Sequence, residues 1–461
     1  MSQQPVQMKS TSGIRGIVGP GINPILAAQY GAAFAALLLE NDTRKGAPLI
    51  VGRDSRPSGW ALSGALIAGV VGAGLDVLDV GVVPTPTVAM AVIGLRARGG
   101  VCVTASHNSA EWNALKFFNK HGEFIDRATF ENLETRLAKG NTPCLLHDQL
   151  GDVTSDDTWV NRHIAATLRI AGVSPDVVRR AKLRVVVDAV NGAGSTGLPT
   201  LLEKMGVKVV RLNCVADGNF PHEPEPTPKN LKQLSAAVRK TKAHLGMACD
   251  PDADRLALVD EKGRPIGEEL TLALAVRQAL SVRKGPVVIN LSTSRATHDE
   301  VKARGCEVVY TKVGEANVVA EMRRLKSRIG GEGNGGVIYG PLHYGRDSFV
   351  AAALVLTLFA KVGGSFSALG NSVSKYYTLK DKVDLPSDFD TRLAAFEYRI
   401  KERFGEGRVD RRDGVRLDFP EGWAQLRKSN TEPIYRIIAE TTQESLSQEV
   451  MRLARETFGN P

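Results

Sequence analysis

One pattern recurs three times in this sequence and limits the folds that the chain can adopt. A helix-like stretch leads into a glycine turn and then into a short strand rich in β-branched residues, at 72–81 (GAGLDVLDVG), 204–213 (KMGVKVVRLN) and 303–312 (ARGCEVVYTK). A further apolar strand pattern lies near each of them, at 48–54, 183–194 and 285–292. Short apolar strands that alternate with helices indicate α/β units with a parallel or mixed sheet.

The length of 461 residues exceeds what one ordinary hydrophobic core supports, so we expect several domains. The three repeated units predict three α/β domains of like design, at 1–155, 156–260 and 261–370. Ligands of such sheets bind beyond the carboxyl ends of the strands. The remainder, 371–461, has more charged, alternating strand patterns and ends in a helix-like run. It is predicted to be a smaller α+β domain.

Charge and cysteine usage narrow the class of protein. The net charge of +9 favours anionic partners, but lysine and arginine are scattered, which argues against a nucleic-acid-binding arm. The N-terminal stretch lacks the apolar core of a signal peptide, and no window approaches the roughly 20 apolar residues of a membrane span. Five dispersed cysteines without a C-x-x-C motif suit a reducing compartment. We therefore expect a soluble, cytoplasmic protein without nucleic-acid or membrane partners.

Polar side chains follow the strand pattern at 99–103, in the stretch TASHN at 104–108. A nucleophilic serine needs a general base within hydrogen-bond reach, but Ser106 and His107 are neighbours, whose side chains point to opposite faces of an extended strand. No G-x-S-x-G elbow surrounds Ser106. Taken alone, the stretch is best interpreted as a polar loop after a strand.

Three carboxylates alternate in ACDPDADRLALVD, at Asp250, Asp252 and Asp254. The proline after Asp250 disfavours a helix there, so the carboxylates converge from a loop and form an all-oxygen site suited to Mg²⁺. An EF-hand is the competing interpretation, but Arg255 stands where that loop needs glycine and a strand pattern follows at 256–259. A plain acidic turn is the weaker alternative, because three close carboxylates repel one another.

The stretch RKSNTEPIYR places small polar residues between two strand patterns, with an arginine on each side. The residues concerned are Arg427, Ser429, Asn430, Thr431 and Arg436. Backbone N–H groups assisted by guanidinium forks form phosphate cradles, but a hairpin turn with exposed arginines explains the pattern equally well.

Two glycine-bounded loops complete the set of candidates. In GGEGNGG (330–336), glycines surround Glu332 and Asn334, and a carboxylate with an amide suits vicinal sugar hydroxyls. A flexible turn is the alternative interpretation of that loop. In STSGIRGIVG (10–19), Arg15 lies between glycines, where an isolated arginine is usually just solvated.

Together and in this order, the five stretches resemble the α-D-phosphohexomutase family, along essentially the whole chain. This family contains phosphoglucomutases, phosphomannomutases and phosphoglucosamine mutases. The resemblance implies four domains around a central cleft, three of related α/β design and a distinct fourth. It also implies an enzyme that interconverts hexose 6-phosphate and hexose 1-phosphate through a phosphoserine enzyme, with a hexose 1,6-bisphosphate as intermediate and activator.

The resemblance assigns roles to two loops: the loop around Ser106 at 104–108 (the serine loop) and the loop with the three aspartates at 250–254 (the acidic loop). Ser106 is expected to carry the phosphate as a phosphoserine, which would bind Mg²⁺ together with Asp250, Asp252 and Asp254. Lys116 matches a family lysine near the reacting hydroxyl and is the candidate general acid and base.

Further roles follow from the same resemblance. Arg15 and Arg255 are expected to neutralise the transferring group, with His107 in support of the proton transfer. Glu332 and Asn334 would bind sugar hydroxyls in either orientation of the sugar. The phosphate that is not reacting would be held by Arg427, Ser429, Asn430, Thr431 and Arg436.

Three positions depart from the family pattern. Ser109 replaces the usual proline after TASHN, and Ala114 replaces the usual glycine before the lysine. Gly336 stands where many bacterial members carry a histidine that can act as base. The role of that histidine would then pass to Lys116 or to a residue such as His343.

The G-E-G-N-G-G form of the glycine-rich loop resembles a branch of the family that is often associated with phosphoglucosamine mutases, so we favour that activity, with a dual-specificity phosphomannomutase/phosphoglucomutase as the alternative. These substrates differ only around C2, which one contact can discriminate. A Mg²⁺-dependent sugar phosphatase is a further alternative, as is an inactive sugar-phosphate sensor or nucleic-acid binder. The presence of Ser106 and the three aspartates argues against an inactive protein. A hexose phosphate is the expected partner, and we expect a monomer or homodimer.

Overall fold

The computed structural model describes residues 6–10, 13–42, 44, 46–384, 388–428 and 434–459. The strands of this part of the chain form four sheets, which follow one another along the sequence. Apolar residues pack on both faces of each of the first three sheets. Within these residues, no helix has both the length and the apolar character that crossing a bilayer requires.

The first sheet has seven strands and is accompanied by four helices. The strands are β1 (Gln7–Ser10), β2 (Gly13–Ile17), β3 (Leu49–Arg53), β4 (Val77–Val82), β5 (Gly99–Val103), β6 (Trp112–Phe118) and β7 (Val153–Ser155). The helices are α1 (Pro24–Asn41), α2 (Gly59–Gly72), α3 (Thr85–Gly94) and α4 (Arg127–Ala138). Helix α1 begins where the side chain of Asn23 accepts a hydrogen bond from the backbone N–H of Leu26. The strand order is β1-β2-β6-β5-β3-β4-β7.

Helices α1 and α2 pack unusually closely on this sheet. A Cβ built at Gly31 of α1 would overlap the backbone carbonyl of Leu66 in α2, and one at Gly69 would overlap that of Ala28. Glycine at these two positions therefore allows the helix backbones to touch.

The second sheet has four strands in the order β11-β10-β8-β9, of which only β11 is antiparallel to its neighbour. The strands are β8 (Arg184–Asp188), β9 (Lys208–Leu212), β10 (Leu245–Cys249) and β11 (Leu256–Asp260). The helices are α5 (Trp159–Thr167), α6 (Pro175–Arg180), α7 (Gly194–Lys204) and α8 (Lys232–Thr241). A short 3₁₀ turn at Pro228–Asn230 precedes α8.

The third sheet repeats this arrangement in the order β13-β12-β14-β15, with β15 antiparallel. The strands are β12 (Val287–Asn290), β13 (Val308–Thr311), β14 (Ile329–Glu332) and β15 (Gly336–Tyr339). The helices are α9 (Glu269–Val282), α10 (Arg295–Lys302), α11 (Glu315–Leu325), α12 (Ser348–Val362) and α13 (Phe366–Asn371). Helix α12 is buried along most of its length, because it lies in an apolar core shared with the second domain.

The fourth sheet is entirely antiparallel, in the order β16-β20-β19-β18-β17. The strands are β16 (Tyr377–Asp384), β17 (Val409–Asp410), β18 (Val415–Phe419), β19 (Gly422–Lys428) and β20 (Ile434–Thr441). Helices α14 (Phe389–Phe404) and α15 (Glu444–Phe458) supply apolar side chains to its separate core. The predicted fold class, three α/β domains followed by a smaller α+β domain, is confirmed.

The first three domains share one four-stranded unit: three parallel strands and an antiparallel strand that returns from the third of them. In each unit the returning hairpin connection lies beyond the carboxyl end of the third parallel strand. These connections are residues 104–111, 250–255 and 333–335. They contain the serine loop, the acidic loop and the glycine-rich loop, so three motifs occupy equivalent turns.

The four sheets lie within 7–155, 184–260, 287–339 and 377–441. The proposed domain divisions after residues 155 and 260 coincide with strand ends. The division after residue 370 falls within α13.

Candidate active site

Ser106 lies in the β5–β6 connection with an unusual backbone conformation. Its φ is 51°, in the left-handed region, and its side chain is buried. The N–H of Ser106 donates to Oγ1 of Thr104 (3.0 Å), which in turn donates to Oδ2 of Asp54 (2.6 Å). These bonds turn the chain so that the serine hydroxyl leaves the sheet at its carboxyl edge.

A buried arginine, Arg56, holds the carbonyl groups of the serine loop. Its guanidinium donates to the carbonyl oxygens of Ser106 (2.7 Å), Asn108 (2.6 Å) and Ser109 (2.5 Å). Its Nε donates to Asp54 (2.9 Å), which balances its charge. Sequence reasoning missed Arg56, because nothing in the local sequence signals an arginine that folds inward over a loop far along the chain.

The acidic loop meets the serine loop directly. Oγ of Ser106 donates to Oδ2 of Asp250 at 2.7 Å, while Oδ1 of Asp250 accepts from the backbone N–H groups of Asp254 and Arg255 (both 3.2 Å). Burial, followed by the charges of Asp254 and Asp252, raises the pKa of Asp250 well above its usual range. A carboxylate in this setting favours a proton or a cation beside it.

The donor set of the three aspartates fits a divalent cation. Asp250, Asp252 and Asp254 each have a carboxylate oxygen within 4.8 Å of the others, and all three side chains are buried. Oδ1 of Asp252 and Oδ1 of Asp254 have no hydrogen-bond partner within the described part of the chain. Buried, unpartnered carboxylate oxygens are costly unless a cation binds them, and a set of hard oxygen donors suits Mg²⁺.

Lys116 reaches this cluster from β6. Its Nζ donates to Oδ2 of Asp252 at 2.6 Å and lies 4.0 Å from Oδ2 of Asp254. Burial alone would lower the pKa of Lys116, but the charges of Asp252 and Asp254 outweigh it and raise that pKa. Lys116 is therefore protonated in this arrangement.

Two arginines and one histidine surround the serine. Nη1 of Arg15 donates to Oδ1 of Asn108 at 2.5 Å, and burial lowers the pKa of Arg15 to about 10. Nε of Arg255 lies 3.7 Å from Asp254 and 3.9 Å from Asp250. Nδ1 of His107 lies 3.4 Å from Oγ of Ser106. Burial, Arg255 and Arg15 hold the pKa of His107 well below its usual range, so its ring is neutral.

In the glycine-rich loop, the two polar side chains differ in their engagement. Glu332 is buried and accepts at Oε1 from Asn290 (2.8 Å) and from the N–H of Gly314 (3.1 Å). Asn334 is partly exposed and accepts at Oδ1 from the N–H of Gly336 (3.2 Å). Asn334 is therefore more available to a ligand than Glu332, through its amide N–H₂ group.

The predicted phosphate loop is described only in part. Ser429, Asn430 and Thr431 lie outside the described residues. Arg427 and Arg436 lie directly opposite each other on β19 and β20. Burial lowers the pKa of Arg427, Asp413 opposes this, and Arg436 adds to it. The two facing positions thus place two arginines on neighbouring strands.

His343 does not join the site residues. Its Nε2 lies 2.9 Å from Oδ2 of Asp347, which also accepts from Nε2 of His163 at 2.8 Å. All three side chains are buried, and Nδ1 of His163 bonds Oγ1 of Thr87 (2.9 Å). This cluster joins side chains of the first three domains, and within it Nε2 of His343 is bonded to Asp347.

Arg346 is the second residue that sequence reasoning missed. Its guanidinium donates to Oδ2 of Asp254 (2.6 Å), to Oε2 of Glu315 (2.8 Å) and to Oε2 of Glu332 (3.1 Å). It therefore connects the acidic loop with the glycine-rich loop. No motif marks it, and the pairing of residues so distant in the chain is visible only in the folded protein.

The described site thus combines a buried serine hydroxyl, three carboxylates able to hold a cation, and several fixed positive charges. Such a site suits phosphoryl transfer, whose transition state gains mainly from positioning and electrostatic stabilisation.

Three segments of the chain match the domain models of one protein family. Residues 6–143, 161–263 and 267–377 match "Phosphoglucomutase/phosphomannomutase, alpha/beta/alpha" domains I, II and III. The chain is 36% identical over 452 residues to a phosphoglucomutase/phosphomannomutase of Thermococcus kodakarensis, with 96% of each chain covered. It is 37% identical over 444 residues to a probable phosphoglucosamine mutase of Methanopyrus kandleri, with 95% of each chain covered.

Solved structures agree in fold. A phosphoglucomutase/phosphomannomutase family protein of Burkholderia thailandensis superposes with a TM-score of 0.84 at 27% identity, covering 98% of this chain and 99% of that one. An N-acetylphosphoglucosamine mutase of Aspergillus fumigatus, solved with GlcNAc-6P and magnesium, has a TM-score of 0.60 at 14% identity and covers 98% of this chain and 96% of that one. The second likeness shows the fold alone. The chain belongs to the α-D-phosphohexomutase family, and it is a phosphomutase of the isomerase class.

Proposed function

We propose that the protein interconverts hexose 6-phosphate and hexose 1-phosphate through a phosphoserine at Ser106 and a bound hexose 1,6-bisphosphate. The observation that carries this proposal is the buried hydroxyl of Ser106, 2.7 Å from Oδ2 of Asp250. Beside it lie two carboxylate oxygens, one each of Asp252 and Asp254, that have no hydrogen-bond partner among the residues that the structure describes. A buried hydroxyl beside carboxylates that can hold a cation suits reversible phosphorylation.

Asp250, Asp252 and Asp254 would hold a Mg²⁺ ion, which neutralises charge on a transferring phosphoryl group. Asp250 accepts the hydrogen bond of the very hydroxyl that must lose its proton when Ser106 is phosphorylated. Arg15 and Arg255 add fixed positive charge on the same side of the serine loop.

The proton of the sugar hydroxyl needs a partner as well. In the first half of the reaction, the bond between phosphorus and Oγ of Ser106 breaks, and a bond to the sugar oxygen forms as that oxygen loses its proton. In the second half, the other phosphate returns to Ser106, and the released sugar oxygen takes up a proton. We assign this exchange to Lys116, buried beside Asp252, with the neutral ring of His107 next to Oγ of Ser106. In the first half, the ammonium of Lys116 gives a proton to the leaving Oγ of Ser106, and the resulting amine takes the proton of the sugar hydroxyl. The second half runs in reverse.

Between the two halves the sugar must turn around. Glu332 and Asn334 lie on one short hairpin and would bind hydroxyls in both orientations. Arg427 and Arg436, with Ser429, Asn430 and Thr431, would hold whichever phosphate is not reacting. The cross-strand pairing of the two arginines supports this role, because guanidinium groups in facing positions can donate to one phosphate.

For the sugar itself, we favour glucosamine phosphate. The relative from M. kandleri is a probable phosphoglucosamine mutase and supports this choice. The relative from T. kodakarensis, nearly as similar, favours the alternative of a dual-specificity phosphoglucomutase/phosphomannomutase. The difference lies at C2, where an amine or a hydroxyl must be recognised.

Phosphorus NMR with Mg²⁺ and a trace of hexose 1,6-bisphosphate tests the proposal. Glucosamine 6-phosphate, glucose 1-phosphate and mannose 1-phosphate are supplied separately to the phosphorylated enzyme. Preferential conversion of the amino sugar supports the favoured substrate, and faster conversion of the other two establishes the dual-specificity alternative. Inorganic phosphate that accumulates faster than isomer would overturn the mutase mechanism in favour of a phosphatase.

A further inference from the structure

We propose that Arg346 is a positioning residue, which locks the acidic loop of the second domain to the glycine-rich loop of the third. This inference rests on the proposed function, because it assigns the two loops to the cation and to the sugar. Arg346 follows β15 in the chain, and its side chain spans Asp254, Glu315 and Glu332.

The contact with Asp254 decides which of its oxygens is available. Nη2 of Arg346 binds Oδ2 at 2.6 Å, while Oδ1 of the same carboxylate is buried without a hydrogen-bond partner among the described residues. Arg346 thereby fixes the rotation of the Asp254 carboxylate with one oxygen free for a cation. Partners of this kind orient metal ligands and tune their affinity.

The contact with Glu332 likewise fixes a carboxylate, here in the glycine-rich loop. Oε1 of Glu332 accepts from Asn290 and Gly314, and Oε2 accepts from Nη1 of Arg346 at 3.1 Å. Both oxygens are therefore held in place. Oε1 already accepts two hydrogen bonds, whereas Oε2 accepts one and keeps lone-pair capacity for a further donor. A planar guanidinium can hold both loops at once because its donors have a fixed geometry.

Gly336 makes this path possible. A Cβ built on Gly336 would overlap Cδ of Arg346, so the stem of the arginine occupies the space that a side chain at 336 would need. The position of the Arg346 side chain thus depends on the absence of a side chain at residue 336.

The backbone beneath Arg346 is itself held firmly. The next residue, Asp347, begins α12 by accepting from the N–H groups of Phe349 (2.8 Å) and Val350 (3.3 Å). Its other oxygen accepts from the imidazoles of His163 and His343. Arg346 therefore projects from a rigid point between the two domains, as a positioning residue must.

The test compares wild type with Arg346→Met, Arg346→Lys and a control, Arg324→Met, whose arginine forms an exposed pair with Glu321 on α11. Mn²⁺ binding to the dephosphorylated proteins is measured by electron paramagnetic resonance, and kcat and KM by coupled assay. We expect Arg346→Met to lose about 10- to 100-fold in Mn²⁺ affinity and in kcat, as for other residues that orient metal ligands. Arg346→Lys keeps the charge but not the fork, so it should recover only a minor part of the loss.

Gly336→Ala supplies an independent perturbation. It should reproduce the Arg346→Met losses, and the double variant should be little worse than either single variant, because both remove the same contacts. Additive losses in the double variant would overturn the inference, as would full recovery by Arg346→Lys or unchanged Mn²⁺ affinity in Arg346→Met. A wild-type protein without mutase turnover and without phosphate on Ser106 would instead overturn the proposed function.

Discussion

The Nζ atom of Lys116 lies 2.6 Å from Oδ2 of Asp252, with both side chains buried. A group assigned to proton exchange is thus bonded to a carboxylate assigned to the cation. Proton transfer and charge neutralisation are therefore coupled in this site. Removal of the ammonium should therefore impair proton exchange without weakening cation binding.

Lys116→Met tests this coupling. We expect kcat to fall by about 10²- to 10⁴-fold, the usual contribution of a general acid or base. Mn²⁺ affinity should not fall, because Oγ1 of Thr85 still donates to Oδ2 of Asp252 (2.7 Å) and keeps that carboxylate oriented when Lys116 is removed. The matched control is Lys120→Met, at an exposed position just after β6. A near-normal kcat in Lys116→Met would place the proton exchange on another residue.

Ser106→Ala should abolish turnover and leave sugar-phosphate binding largely intact, because the hydroxyl carries the phosphate and the other binding groups remain. Calorimetric titration with glucosamine 6-phosphate checks binding, and intact-protein mass spectrometry checks for the phosphate. Ser63→Ala, at another buried serine of the first domain, is the control and should retain both properties. Turnover by Ser106→Ala would refute the phosphoserine assignment.

Glu269, at the start of α9, gives the protein a pH-dependent stability. Burial raises the pKa of Glu269 to about 8 from an ordinary value of 4.5, although Lys380 opposes the shift. Between these values the folded protein binds more protons than the unfolded chain, so this contribution to stability is present at low pH and is lost as the pH rises through about 8.

Glu269→Gln cannot ionise and should remove this part of the pH dependence. We expect its Tm to fall less than that of wild type between about pH 5 and about pH 9. Scanning calorimetry at both pH values makes the comparison, with Glu131→Gln, on the exposed surface of α4, as control. Parallel curves for Glu269→Gln and wild type would contradict the assignment.

Asp347→Asn should destabilise the contact between the first three domains. Asparagine can still accept at the start of α12, but it presents an N–H₂ group to imidazoles that donate to this position. We expect a loss of about 3 kcal/mol, the scale for buried groups left without partners. Calorimetry should show a lower Tm for Asp347→Asn and no change for Asp176→Asn, whose carboxylate is exposed on α6.

Much of this fold was predictable because its signals are local. The strand patterns at 48–54, 183–194 and 285–292 became β3, β8 and β12, since runs of β-branched residues flanked by glycine turns have few other uses. The acidic loop was predictable for a similar reason, because proline and alternating carboxylates exclude a helix. The equivalence of the three hairpin connections emerged only from the folded sheets.

The residues that hold the site together were not predictable. Arg56 is 50 positions from Ser106, whose carbonyl it binds, and Arg346 is 92 positions from Asp254. In the sequence, no local pattern distinguishes either arginine from the other charged residues in turns. Their roles depend on burial and on contacts between separate elements, which local patterns do not encode. Local patterns also do not predict the surroundings of His343, whose ring contacts the ring of His163 in another domain.

The left-handed backbone of Ser106 restricts which hydroxyl-bearing residue can stand there. A φ of 51° is tolerated by serine at modest cost, but it is a severe outlier for a β-branched side chain. Threonine offers the same hydroxyl chemistry, but its β-branched side chain makes this backbone conformation more strained. The shape of the main chain therefore favours serine over threonine at this position, independently of the reactivity of the side chain.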